Sequence, residues 1–217
     1  TVFLIKVMAK KTRNIYKRLV FAVCLMPLAW LILAILLDTI YQTQLMSVDP
    51  VQKFDRELGD WALIFIILSL SIRPIAELIK KKELIIYRKI FGLFGFFYVC
   101  LHLTAYIGLN LQLNMAGLFD DISKRNYITI GIISFGLLIP MAATSSKKAI
   151  KYIGGRLWKK IHSLIYIISL LGVFHFFMMT RADFTRPTIY LIIILILLLY
   201  RLATKSKILG QRPLLRK

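Results

Sequence analysis

The stretch IHSLIYIISLLGVFHFFMM, residues 161–179, decides the fold class. It runs for 19 residues without a formal charge, and Arg156, Lys159 and Lys160 stand just before it. An α-helix rises about 1.5 Å per residue, so roughly 20 apolar residues cross the hydrocarbon core of a bilayer. Five more segments have this character: 19–37, 61–79, 90–109, 127–143 and 187–203. The second is weakened by Arg73, Pro74 and Glu77. The first does not read as a cleavable signal peptide, because its apolar run is too long and lacks a small-residue cleavage site. The expected fold is an all-α integral membrane protein. A six-helix transmembrane bundle over 19–203 is flanked by a basic N-terminal segment, 1–18, and a basic tail, 204–217.

Composition agrees. Of 217 residues, 59% are hydrophobic and 18% charged, and the mean hydropathy is +0.73. Soluble domains lie nearer 45–50% apolar and about 25% charged, so neither a disordered chain nor an ordinary soluble globule fits. The formal charge of +20 sits between the apolar runs and reads as membrane topology; no nucleic-acid partner is needed. When the connecting segments are assigned alternately to two sides, one side holds 24 basic residues against Glu77 and Glu83. The other holds six basic residues against eight acids. The positive-inside rule then places both termini in the cytoplasm. The basic clusters suit the anionic headgroups of membrane lipid. Cys24 and Cys100 lie in apolar runs and read as packing residues, not a disulfide framework. In the external segment 38–60, Asp49-Pro50 predicts a helix N-cap followed by a first-turn proline. Val51, Phe54 and Leu58 then predict a short interfacial helix leading into helix two.

The chemistry rests on three histidines, His102, His162 and His175, all within or at the edge of apolar segments. Ionisable groups inside a bilayer are costly and point to function; the plain alternative is a histidine bonded to a neighbouring helix. Helices three and five both start at the basic face. By helical rise, His102 lies roughly 18 Å along helix three and His175 roughly 21 Å along helix five. Two imidazoles at one depth on parallel helices match the axial ligands of a six-coordinate b-type haem. Gly92, Gly95, Gly108 and Gly172, with Phe96, Phe97, Tyr98, Phe174, Phe176 and Phe177, offer small and flat apolar contacts for a porphyrin. His162 sits near the basic face, roughly 20 Å of helix from His175, and should not bind the same iron. It could ligate a second haem with a non-histidine or absent sixth ligand, or bond a haem propionate, flavin or quinone. It could also be an interfacial histidine with no cofactor. Trp158, Arg156, Arg88 and Lys89 form a cationic, aromatic rim around that level.

Four motifs carry a family resemblance: DPV at Asp49, LHLTAY at Leu101, ATSS at Ala143, and GRLWKKIHSLIY at Gly155, followed by His175. In this order and spacing the chain resembles the ferric-reductase-like transmembrane family and, within it, the MsrQ (YedZ) group of haem-binding membrane subunits. The resemblance implies a multi-pass protein of the bacterial inner membrane that carries haem b, one group or two; FMN is associated with the group. It implies electron transfer from a quinol or a cytoplasmic flavin reductase to a periplasmic MsrP-like molybdopterin enzyme, which reduces methionine sulfoxide in proteins. It makes His102 and His175 the outer haem ligands and His162 the inner histidine. Oxidase relatives have two histidines on each of these helices, whereas here the first of the helix-three pair is missing.

No GxGxxG or other dinucleotide fingerprint occurs, and no flavin motif is evident. The expected donor is therefore another protein or a lipid-soluble carrier, and sulfoxide reduction is expected on the partner. Two other readings use the same histidines: a self-contained ferric or quinone reductase, and a transporter or scaffold in which they bind a metal ion or merely pack.

Overall fold

A computed structural model describes residues 2–210, with side chains described over 14–204. Its elements are α1 (Val2–Tyr41), α2 (Pro50–Leu78), α3 (Tyr87–Ala105), α4 (Met115–Lys124), α5 (Asn126–Ala143), α6 (Lys147–His162), α7 (Ile165–Met179) and α8 (Thr185–Gly210). Six helical stretches are long and apolar enough to cross a membrane: Asn14–Tyr41, Pro50–Leu78, Lys82–Asn110, Asn126–Ala143, Lys147–Met179 and Thr185–Thr204. The molecule is the helical membrane bundle that the apolar runs predict. Much of its surface is apolar. Val23, Trp30, Phe174 and Leu199 are each more than half exposed, an outer face for lipid chains and not for water. The helix α1 continues through the basic segment 1–18 as far as Val2; the end of the basic tail, 211–217, lies outside the described residues.

Asp49 caps α2 as its sequence predicts: Gln52 N–H donates to Asp49 Oδ1 at 2.9 Å, and Pro50 opens the helix. The helix does not stop after one interfacial turn, however. It runs unbroken to Leu78 and takes up Val51, Phe54 and Leu58, leaving a link of only 42–49. Between Leu58 and Trp61 stand two weak helix formers, Gly59 and Asp60, and one mid-helix glycine costs only about 1 kcal/mol. The helix α3 packs closely along α2. A Cβ at Gly95 would stand 3.0 Å from Ile66 Cγ1 and 3.5 Å from the Ala62 carbonyl oxygen. Tyr98, fully buried, ties α3 to α1. Leu28 N–H donates to its hydroxyl at 3.0 Å, and the hydroxyl donates to the Cys24 carbonyl at 3.0 Å. The phenol thus occupies a rung of the α1 ladder beside Pro27.

Two differences bear on the site. The helix α3 passes into a π-helical turn, Tyr106–Asn110, and the segment 110–126 contains α4, capped by Asn114. And the expected helix 161–179 is two helices: α6 ends at His162 and α7 begins at Ile165. At the break the Ser163 hydroxyl donates to the Lys160 carbonyl at 2.6 Å, competing with the backbone ladder. Within α6 the chain also kinks at Gly154, where φ is +79°, a value that glycine adopts without a steric penalty.

Candidate functional site

A cavity of about 720 Å³ opens among α2, α3, α5 and α7, with α4 at its mouth. It lies within the range of small-molecule sites, about 300–1,000 Å³. His102 from α3 and His175 from α7 both line it. Their ring centres are 6.3 Å apart and their planes cross at 77°. The equal depth read from helical rise therefore corresponds to real proximity.

Each imidazole is seated in the same way. His102 Nδ1 donates to the Asp55 carbonyl at 2.9 Å, and His175 Nδ1 donates to the Tyr127 carbonyl at 2.7 Å. A peptide carbonyl only accepts, so Nδ1 carries a proton on both rings, and in the neutral imidazole Nε2 keeps the lone pair. Four residues beyond each carbonyl stands a glycine under the ring. A Cβ at Gly59 would meet His102 Cε1 at 3.3 Å, and one at Gly131 would meet His175 Cε1 at 3.1 Å. In a helix, the carbonyl of residue i faces the N–H of residue i+4. Removing the side chain at i+4 opens that carbonyl to a second donor from a neighbouring helix. The pairs Asp55/Gly59 on α2 and Tyr127/Gly131 on α5 are two copies of one device. The sequence pattern marks none of these four as a site residue, and it puts Asp55 and Gly59 in the external segment 38–60.

The family model described as "Ferric reductase like transmembrane component" matches residues 58–173. The MsrQ heme-binding subunit of protein-methionine-sulfoxide reductase from Rhodospirillum rubrum is 38% identical over 200 residues, covering 89% of this chain and 91% of that protein. The corresponding MsrQ subunit of Caulobacter vibrioides is 39% identical over 183 residues, 84% of each. This chain belongs to the ferric-reductase-like transmembrane family, on its MsrQ branch. The magnetosome protein MamZ of Paramagnetospirillum magneticum is also similar, 39% identical over 193 residues. There the chain spans 88% of its own length but only 30% of the relative's. The family match takes in Gly59, His102, Gly131 and His162 and ends two residues before His175.

The mouth of the cavity is polar. Tyr106 donates its hydroxyl to Asp121, and Arg125 Nε lies 3.0 Å from the same carboxylate. A guanidinium nitrogen of Arg125 also reaches the Tyr127 hydroxyl at 3.5 Å. That bond and the Asp121 charge push the Arg125 pKa upward, so it remains a cation. Arg56 and Arg181 also line the cavity, and among the described residues neither makes an ion pair. Arg186 pairs with Asp60 at 3.0 Å and holds α8 against α2.

The aromatic lining differs from expectation. Of the six aromatic residues named from the sequence, only Phe176 lines the cavity. Phe174 faces outward, and Tyr98 serves α1. Phe135, not singled out, does line it, stacked on Phe96 with ring centres 6.1 Å apart. Of the glycines named, Gly172 lines the cavity, while Gly92 and Gly95 pack against α2.

His162 stands apart. As the last residue of α6 it is outside the cavity. Its ring centre is 4.4 Å from that of Trp158, and Nε2 lies 3.2 Å from Thr144 Oγ1. Trp158 Nε1 is buried with no hydrogen-bond partner. Arg88 is half-buried and lines a separate recess with Arg73, Tyr166 and Arg201, whereas Lys89 and Arg156 are exposed.

Proposed function

We propose that this chain is a transmembrane electron conduit in which His102 and His175 would hold a b-type haem. The observation that carries the reading is the pair of imidazoles in one cavity, each with Nδ1 tied to a carbonyl and the Nε2 lone pair left to bind a metal. Metal-bound histidines usually donate their other N–H in this way. An imidazole nitrogen binds a metal at about 2.0–2.1 Å, so two rings sharing one ion have centres roughly 6 Å apart. The separation of 6.3 Å fits. Two imidazoles alone under-coordinate a bare ion, whereas a porphyrin brings four nitrogens of its own. Among the described residues no group of three or more His, Cys, Asp or Glu converges to hold a metal ion, which favours haem over a transported ion.

Bound haem supplies one-electron transfer between ferric and ferrous iron. Around it, Arg56, Arg125 and Arg181 offer guanidinium donors to carboxylates at the cavity mouth. Gly59 and Gly131 admit the imidazoles, while Ile66, Leu138 and Ile168 keep the floor apolar. With both termini in the cytoplasm, this cavity opens toward the periplasm. The acceptor is then a periplasmic MsrP-like molybdopterin enzyme, since related MsrQ chains are named as subunits of a protein-methionine-sulfoxide reductase. Reducing one methionine sulfoxide to methionine and water takes two electrons and two protons, so the conduit must turn over twice per sulfoxide. The donor is a quinol or a cytoplasmic flavin reductase. His162, with Trp158, Arg88, Lys89 and Arg156, serves electron entry at the opposite face, where a second haem, FMN or a quinone head would dock. A self-contained ferric reductase would use the same histidines and differ only in its acceptor.

Purified protein reduced with dithionite should show a b-type spectrum, and His102→Ala or His175→Ala should strip or severely perturb it. An MsrP-like partner with methionine sulfoxide should reoxidise the reduced protein. Wild-type haem content and spectrum in both histidine variants would overturn the assignment; failure of reoxidation alone would overturn only the acceptor.

A further inference from the structure

The two imidazoles share a seat but not an electrostatic environment. His175 Nδ1 meets the Tyr127 carbonyl. His102 Nδ1 meets the Asp55 carbonyl and also lies 2.9 Å from the carboxylate oxygen Asp55 Oδ1. The Asp55 side chain is only 13% exposed, and Oδ1 has no hydrogen-bond partner of its own. Oδ2 is 3.4 Å from Asn110 Nδ2, and Asn110 is the last residue of the π-helical turn that follows α3. A largely buried carboxylate oxygen therefore lies against Nδ1 of His102, whose proton goes to the backbone carbonyl, and its partner oxygen faces a side chain delivered by that turn.

We propose that Asp55 is a positioning residue that lowers the reduction potential of the haem held by His102. The proposal rests on the haem reading above. A carboxylate beside the distal N–H makes the imidazole a stronger donor. Its negative charge, poorly screened at low exposure, also favours the more positive, ferric state of the iron. His175 bonds a neutral carbonyl and has no carboxylate in contact with its Nδ1 among the described residues. The asymmetry assigns the two ligands different tasks: His175 anchors, and His102 sets how readily the electron leaves toward the acceptor.

Asp55→Asn preserves side-chain size and the backbone carbonyl that seats His102, removes the charge and exchanges one acceptor oxygen for an amide NH2. In detergent-purified protein it should retain haem, and an optical redox titration should move to more positive potential. Losing a charge-assisted contact of this kind should raise the ferrous-to-ferric ratio at fixed ambient potential by about tenfold, or about 59 mV for a one-electron couple. Asp55→Glu, which keeps the charge, should stay near wild type. An unchanged midpoint in haem-replete Asp55→Asn overturns the proposal while leaving the haem site intact. Should Asp55→Asn fail to hold haem, a haem-replete Asp55→Glu with wild-type potential still supports a role for the charge, and an Asp55→Glu that also lacks haem assigns Asp55 to packing and overturns it. His102→Ala, measured alongside, tests the underlying site: if it keeps the wild-type spectrum, the haem reading itself has failed.

Discussion

Adding one methyl at Gly131 tests how the imidazoles are seated. A Cβ there would stand 3.1 Å from His175 Cε1 and 3.2 Å from Nδ1. Carbon atoms meet comfortably at about 3.5–4.0 Å, so the ring must retreat by about half an ångström. The motion pulls Nδ1 off the Tyr127 carbonyl, now 2.7 Å away, and turns Nε2 from its line. Overpacking of this kind costs about 1–3 kcal/mol. At 1.4 kcal/mol per tenfold, haem should be held about 5- to 150-fold more weakly in Gly131→Ala. Gly59→Ala should act in the same direction but less, since its Cβ would meet His102 at 3.3 Å. Gly136→Ala, on the same helix with nothing within 4 Å of its Cβ, is the control. The assay is haem per polypeptide after purification, followed by transfer to excess apomyoglobin. If Gly131→Ala and Gly136→Ala retain haem equally, the glycine seat is not what holds His175.

Two further outcomes follow from other contacts. Tyr98→Phe removes the hydroxyl that both accepts from Leu28 N–H and donates to the Cys24 carbonyl; leaving these groups unpartnered should cost about 1–3 kcal/mol, read as a lower thermal midpoint in detergent, and an unchanged midpoint would mean that the α1 ladder simply recloses. His162→Ala should leave the spectrum of the His102/His175 haem intact while slowing its reduction by the natural donor, because His162 lies outside the cavity and bonds only Thr144; loss of the same haem signal as in His102→Ala would contradict this separation.

What the sequence made legible and what it hid divide along a physical line. Span number follows from one-dimensional quantities, apolar length and charge, and six apolar runs became six spans. The His102/His175 pairing was legible because helical rise converts residue count into depth, and equal depth on parallel helices puts rings within reach. The break after His162 was not: Ser163 bonds the Lys160 carbonyl there, but Ser169 makes the same kind of bond to Tyr166 inside α7 without ending it, so a serine in the run does not announce a break. Nor were the aromatic contacts, since Phe96 and Phe174 look alike in sequence until helix rotation sends one toward Phe135 and the other toward lipid. The seats were hidden for a deeper reason. Asp55 and Tyr127 act through their carbonyls, which every residue has, and Gly59 and Gly131 act through an absence. Only the spacing i, i+4 to a glycine, repeated on α2 and α5 at the depth of a histidine on the facing helix, would have given them away. That spacing also explains why so apolar a bundle can carry two imidazoles. Each ring satisfies its N–H on a carbonyl already present in the neighbouring helix, so the site needs no extra polar side chain to orient its ligands. The one carboxylate beside them, Asp55, is then surplus to seating, and its position against His102 alone is what makes the two ends of the site unequal.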